Sequence, residues 1–320
     1  MDSRPATFPE HKRLIVRKPR IVENLKKYWA LYLMFIPTAA TLIIFNYIPM
    51  WGVSLAFKDY VPWYGFSGSE WVGWDNFRYV FSTPDFPRLI RNTLLINVYK
   101  IAWGFPAPII LALLLNEVKT KHFKNTIQTI SYLPHFISWI VISGIMYNLL
   151  NTNFGIINNL LKSIGQDPIQ WYIRSDVWRS ILVGSSVWKG VGYSSIIYLA
   201  AISGVDTSLY EAAIVDGATR WKQTIHITLP SIAPTISILF ILGIGGIMYG
   251  DFGQIYALIG YNSPLFPTTD VLDFFIYRVG LQGGKFSIGA ALGLFQSAIG
   301  FILVMTTNYV AKKIGGEGIW

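Results

Sequence analysis

Apolar residues gather along this chain in six stretches, near 29–56, 93–116, 127–149, 178–201, 231–256 and 286–310. Each reaches the roughly 20 residues that a helix needs to cross the hydrocarbon of a bilayer. The pattern predicts an all-α polytopic membrane protein with six transmembrane helices in one membrane domain, residues 28–311. A basic segment, 1–27, precedes it and a short tail, 312–320, follows. The polar intervals 58–92, 150–177 and 257–285 are long enough for ordered caps or short helices. The first of them is rich in Trp, Gly and Pro, as in Trp71-Val72-Gly73-Trp74. No internal repeat or low-complexity tract interrupts the pattern.

The interval between the fourth and fifth stretches, 206–230, has a different character. Ser208 followed by Glu211 has the spacing of a capping box and predicts a helix start. Gly217 can take the left-handed conformation that ends a helix, and Thr219 can cap a second one running to Pro230. The expected product is a short helix-turn-helix. Ala212 and Ala213 keep one surface small, while Glu211, Asp216, Arg220 and Lys222 put charges at its rim. That is a docking knob; an amphipathic hairpin lying on the membrane surface is the alternative.

Composition agrees with the membrane assignment: 52% of the 320 residues are hydrophobic and 13% charged, with a mean hydropathy of +0.43. Lysine and arginine number 15 on one side of the predicted spans and 9 on the other, with Lys100 and Lys189 inside spans. The positive-inside rule then places both termini in the cytoplasm. The basic start reads as the flank of a first membrane helix rather than a nucleic-acid site, and the apolar stretch after it is too long for a cleavable signal. Cysteine is absent, which removes thiolate metal sites and disulfides from consideration.

Enzyme motifs are missing too. No Gly-x-x-x-x-Gly-Lys-Ser/Thr loop offers an ATP site, and the four histidines are scattered. No catalytic residue, metal ligand or cofactor is expected in this chain. Asp251 is the one acidic residue well inside a predicted span, which is thin support for an ion-coupled secondary transporter.

The spacing Glu211-Ala212-Ala213, Gly217, Ile227-Thr228-Leu229-Pro230 resembles the cytoplasmic coupling loop of permeases in binding-protein-dependent ABC importers. From Tyr28 to Trp320 the chain is similar to the type I, maltose-permease-like carbohydrate-uptake family, in the polysaccharide branch that imports aldouronates and alginate. The residues that carry this are Tyr47-Ile48-Pro49-Met50, Phe105 to Glu117, Ser131-Tyr132-Leu133-Pro134-His135-Phe136-Ile137-Ser138, Tyr277-Arg278-Val279-Gly280-Leu281 and Gly318-Ile319-Trp320. The resemblance implies a bacterial inner-membrane subunit paired with a second homologous permease. Two ATP-binding cassette subunits would hold MgATP below, and an extracytoplasmic solute-binding protein would sit above. It assigns ATPase coupling to Glu211, Ala212, Ala213, Asp216, Gly217, Arg220, Leu229 and Pro230.

The same resemblance maps a saccharide path onto Ser131, His135, Ser186, Lys189, Gly190, Met248 and Asp251. Departures from the maltose type stand out, among them an ammonium where an apolar side chain is usual. A lysine in hydrocarbon costs about 2.5–3.5 kcal/mol on insertion scales, so Lys100 and Lys189 are expected to face a wet cavity or a partner charge. Either they attract an acidic oligosaccharide, helped by His135, or Lys189 pairs internally with Asp251 or reaches the interface. Tyr193, with Trp188, Tyr249 and Tyr256, could stack on sugar rings or simply pack. The expected function is import of oligosaccharide or polysaccharide, acidic and of the alginate or aldouronate type, driven by ATP hydrolysed on partner subunits. A permease for a non-sugar solute, a secondary transporter and a membrane sensor or assembly subunit are the alternatives.

Overall fold

The computed structural model describes residues 27–313. Most of the expected basic segment 1–27, and the end of the tail with Gly318-Ile319-Trp320, lie outside the described residues. Two units are distinguished, one ending at Gly52 and one beginning at Val53.

Helix α1, Trp29–Phe57, carries no charged residue, and its residues up to Gly52 belong to the first unit. Its hydrogen bonding widens to a π turn over Ile43–Tyr47 and then tightens to a 3-10 turn. Pro49 accounts for the widening. A proline ring clashes with the carbonyl four residues back, here Phe45, and a wide turn moves that carbonyl aside.

In the second unit, Lys58–Asp59 (β1) pairs antiparallel with Glu70–Trp71 (β2). A short helix, α2, follows at Asp75–Ser82. Asn76 knits this cap together by donating to the carbonyls of Ala56 and Lys58 at 3.0 and 2.9 Å. The segment 58–92 is thus ordered as expected, with a two-stranded ladder added.

Helix α3, Phe86–Glu117, passes through Phe105 and Pro106 and is, among the described residues, one of four helices that are long and apolar enough to span a membrane. The expected span 127–149 is a broken one. Lys121–Phe136 (α4) and Trp139–Leu150 (α5) meet at 100°. Pro134 removes a helical donor near the end of α4, and the Ser138 hydroxyl accepts from Val141 N at 3.3 Å to start α5. The apolar pattern does not register this break because it continues across it.

After a short helix, α6, at Ile156–Ser163, the 29-residue α7, Ser175–Ser203, runs through the middle of the bundle. It is long enough to span, though its serines, glycines and Lys189 make it less apolar than the others. Trp178 is fully buried on it and packs with Ile96, Leu182, Ile255 and Phe274. Lipid tails are as apolar as these side chains, so close backbone approach and interhelical hydrogen bonds carry more of the helix association here than in water. Gly192 shows such an approach: a Cβ there would stand 2.0 Å from the Ser131 carbonyl oxygen of α4.

Beyond α8, Thr207–Val215, comes α9, Arg220–Gly245. Pro230 does not end this helix, contrary to expectation. A π turn over Thr224–Thr228 again displaces the carbonyl four residues back, His226, and the helix runs on. The expected span 231–256 is corrected accordingly: it starts earlier, stops at Gly245, and resumes after a turn as α10, Phe252–Leu258. The last helix is α11, Phe286–Lys313. Between α10 and α11, the buried Asp270 is clasped by Arg88 of α3 at 3.3 Å and Arg278 at 3.0 Å, tying the start of α3 to this segment.

Candidate functional site

Two places gather the chemistry, a hairpin between α7 and α9 and a cavity beside α7. The hairpin begins at Asp206, whose carboxylate accepts from Ser208 N at 2.9 Å and caps α8. Ser208 is therefore inside the helix, and the capping box expected from it is replaced by an aspartate two residues earlier. That backbone hydrogen bond holds the Asp206 carboxyl below the usual range.

Helix α8 closes with Ala218 N donating to Ala213 O at 2.8 Å and Gly217 N to Ile214 O at 3.0 Å. Gly217 has φ +74, the left-handed value that such a closure requires. The Thr219 side chain then accepts from Lys222 N at 3.4 Å and caps the next helix as expected.

A hydrogen bond of 2.9 Å between Tyr210 and Thr228 ties the two arms. The arms enclose a cleft of about 300 Å³ lined in part by Ala212, Ala213, Asp216, His226 and Pro230. Leu229 roots the hairpin in the bundle against Ala112, Tyr198, Ile202 and Ile232. Glu211 and Arg220 are exposed. Val215 and Trp221, one on each arm, are 87% and 73% exposed.

The cavity lies where α3 crosses α7 at Gly104 and Val187. It measures about 300 Å³ and takes in Asn97, Lys100, Ser186, Gly190, Ser194 and Gly246. Lys100 donates to Gln254 Oε1 at 2.6 Å. Gln254, which the sequence did not single out, holds this corner by donating to Leu182 O and Ser185 Oγ at 2.7 and 3.0 Å. Of the residues expected along the saccharide path, Lys100, Ser186 and Gly190 meet here.

Four others meet elsewhere, at the contact between α4 and α7. The rings of His135 and Tyr193 stack at 3.9 Å and 3°, and the Ser131 carbonyl lies under Gly192. Lys189 donates to the carbonyls of Pro134, His135 and Ile137 at 3.3, 2.6 and 2.6 Å. The ion pair of Lys189 with Asp251, one of the alternatives, does not form. Instead Asp251 accepts from Trp139 Nε1 at 2.7 Å and from Gln254 N at 3.1 Å.

Met248 is buried in a cluster with Val80, Leu89, Leu272 and Leu292 and does not line the cavity, although its neighbour Ile247 does. Trp188 borders a second cleft with Tyr99, Trp103 and Arg179, Tyr249 bonds Ser297 at 2.8 Å, and Tyr256 stacks on Phe252. Among the described residues, no group of three His, Asp or Glu side chains is placed to hold a metal ion.

A bundle of apolar spans, with a capped, exposed hairpin between two of them, defines a multi-pass membrane permease. Residues 104–315 match the family described as binding-protein-dependent transport system inner membrane component, and the chain belongs to that family as its non-catalytic membrane subunit. It is 44% identical over 296 residues to Protein LplB of Bacillus subtilis (strain 168), covering 92% of each chain. It is 42% identical over 304 residues to the polygalacturonan/rhamnogalacturonan transport system permease protein YteP of the same organism, covering 95% of this chain and 94% of that one. Among solved structures, a chain of a bacterial alginate ABC transporter in complex with alginate pentasaccharide-bound periplasmic protein superposes with a TM-score of 0.85 at 38% identity, covering 94% of this chain and 100% of the other.

Proposed function

We propose that this chain is a translocating subunit of an ATP-driven importer of oligosaccharides, with acidic chains favoured. The observation that carries the reading is the hairpin 206–230. A rigid, capped element presents Val215 and Trp221 beside Glu211 and Arg220, which suits docking to another protein better than burial in lipid.

Two ATPase subunits holding MgATP would grip this hairpin through Glu211, Ala212, Ala213, Asp216, Gly217 and Arg220, with Leu229 and Pro230 passing the motion to α9. A second homologous permease and a solute-binding protein complete the assembly, and both termini lie in the cytoplasm. ATP-driven closure would turn the bundle between inward-open and outward-open states. Support for an acidic saccharide comes from the relatives, which include a polygalacturonan/rhamnogalacturonan permease and a transporter of the acidic polysaccharide alginate. Lys100 adds to it: this cation lines a cavity with Asn97, Ser186 and Ser194, and its ammonium has three donors, one of which goes to Gln254.

Proteoliposomes carrying the full transporter and its binding protein test the proposal. The expected result is ATP-dependent accumulation of uronate oligomers over neutral oligomers of equal length. Equal uptake with and without ATP contradicts it.

A further inference from the structure

Each of two membrane-spanning segments is interrupted, α4/α5 at Ile137–Ser138 and α9/α10 at Gly246–Asp251. A helix leaves its last four carbonyls without internal partners, and in hydrocarbon each unsatisfied carbonyl is costly. At the first break the His135 carbonyl, the Pro134 carbonyl, which also accepts from Ile137 N at 3.2 Å, and the Ile137 carbonyl just beyond converge on one amine. Lys189 has three donors, and the three carbonyls at 3.3, 2.6 and 2.6 Å use them all. A cation at a helix C-terminus also complements the helix dipole.

The contacts continue to the second break. Trp139, in the first turn of α5, has its ring 5.5 Å from the Lys189 amine, within cation–π range. Its Nε1 donates to Asp251 at 2.7 Å. Asp251 caps α10 through Gln254 N. Gly253 of α10 lies so close to the indole that a Cβ there would stand 3.2 Å from Trp139 Cδ1. Gln254 returns to α7 at Leu182 and Ser185, the latter one helical turn from Lys189. The circuit closes on the helix where it began.

We propose that Lys189, Trp139 and Asp251 form a pin that locks the two helix breaks to α7, making Lys189 a positioning residue of the transport cycle and not a ligand of the transported anion. The breaks then move as one rigid body when the bundle changes state, and Lys100 remains as the span cation that faces the cavity. Only the uptake arm of the test rests on the transport reading.

The chain contains no cysteine, so Phe123→Cys and Ile145→Cys, at exposed positions on the two arms of the bent span, accept a pair of spin labels. These are introduced into the full transporter assembled with cysteine-free partner subunits. The native background should give one narrow distance distribution, Lys189→Arg should keep it, and Lys189→Met and Trp139→Phe should broaden or shift it. An unchanged distribution in Lys189→Met overturns the pin. Trp139→Phe, which removes one donor and keeps the ring, decides the matter if Lys189→Met does not assemble. In uptake assays Lys189→Met should lower the maximal rate roughly tenfold for acidic and neutral oligosaccharides alike, with KM little changed. A rise in KM confined to acidic oligosaccharides, at an unchanged maximal rate, would instead make Lys189 a ligand. If the native transporter moves no saccharide at all, the transport reading fails and the distance measurement still judges the pin.

Discussion

Tyr210 and Thr228 meet at 2.9 Å across the base of the hairpin, joining a helix that faces outward to the π turn at the root of α9. The bond ties a docking element to a membrane-spanning one. A neutral hydrogen bond contributes about 1 kcal/mol. In a double-mutant cycle with Tyr210→Phe and Thr228→Val, the coupling energy in thermal unfolding should be of that size. Independent, additive losses would show that the two arms are not joined here.

Gly217→Ala tests the bend alone. A Cβ at this position meets nothing within 4 Å, so the whole cost comes from holding alanine at φ +74, about 1–2 kcal/mol. Thermal unfolding should show the loss, and Gly217→Asn should show less of it.

Asp206→Asn should leave the cap in place, whereas Asp206→Ala should fray the start of α8, read as faster amide exchange at Ser208 and Leu209. The folded-state pKa of Asp206 is depressed. Its contribution is therefore complete above the unfolded aspartate value and lost as pH falls through the folded one. Protection of α8 should follow that acid limb in the native chain and be flat with pH in Asp206→Ala.

Two glycines one half-turn apart should behave oppositely. Gly192→Ala forces a Cβ to 2.0 Å from a backbone oxygen and should sharply lower the yield of folded protein. Gly190→Ala meets nothing within 4 Å and projects into the cavity. It should fold normally and raise KM for saccharide.

Asp270→Ala leaves Arg278 without its buried partner, while Arg88 keeps Asp85 at 2.9 Å. Removing one member of a buried pair costs about 3–5 kcal/mol; the partial exposure of both arginines, 33% and 23%, puts the expectation toward the lower end. Thermal unfolding of the assembled transporter measures it.

Much of the architecture was legible in the chain because apolar run length, Gly217 and Thr219 each act locally. The breaks were not. Ile137 and Ser138 sit inside a continuous apolar run, and only the Ser138 cap and Pro134 together turn it. Pro230 misled in the opposite direction, since a π turn absorbed the proline that should have stopped the helix. The partners of Lys189 were hidden for a related reason: they are backbone carbonyls gathered at a break, whereas charge alone points to Asp251. Met248 shows the limit of mapping by register, because its side chain turns into the core with Leu89 and Leu292.

The most direct measurement of the central claim compares Glu211→Lys with the native chain in proteoliposomes holding the ATPase and binding protein, following ATP hydrolysis and saccharide accumulation together. A charge reversal on the exposed hairpin should leave hydrolysis running while accumulation falls to background. Accumulation at the native rate would contradict the account.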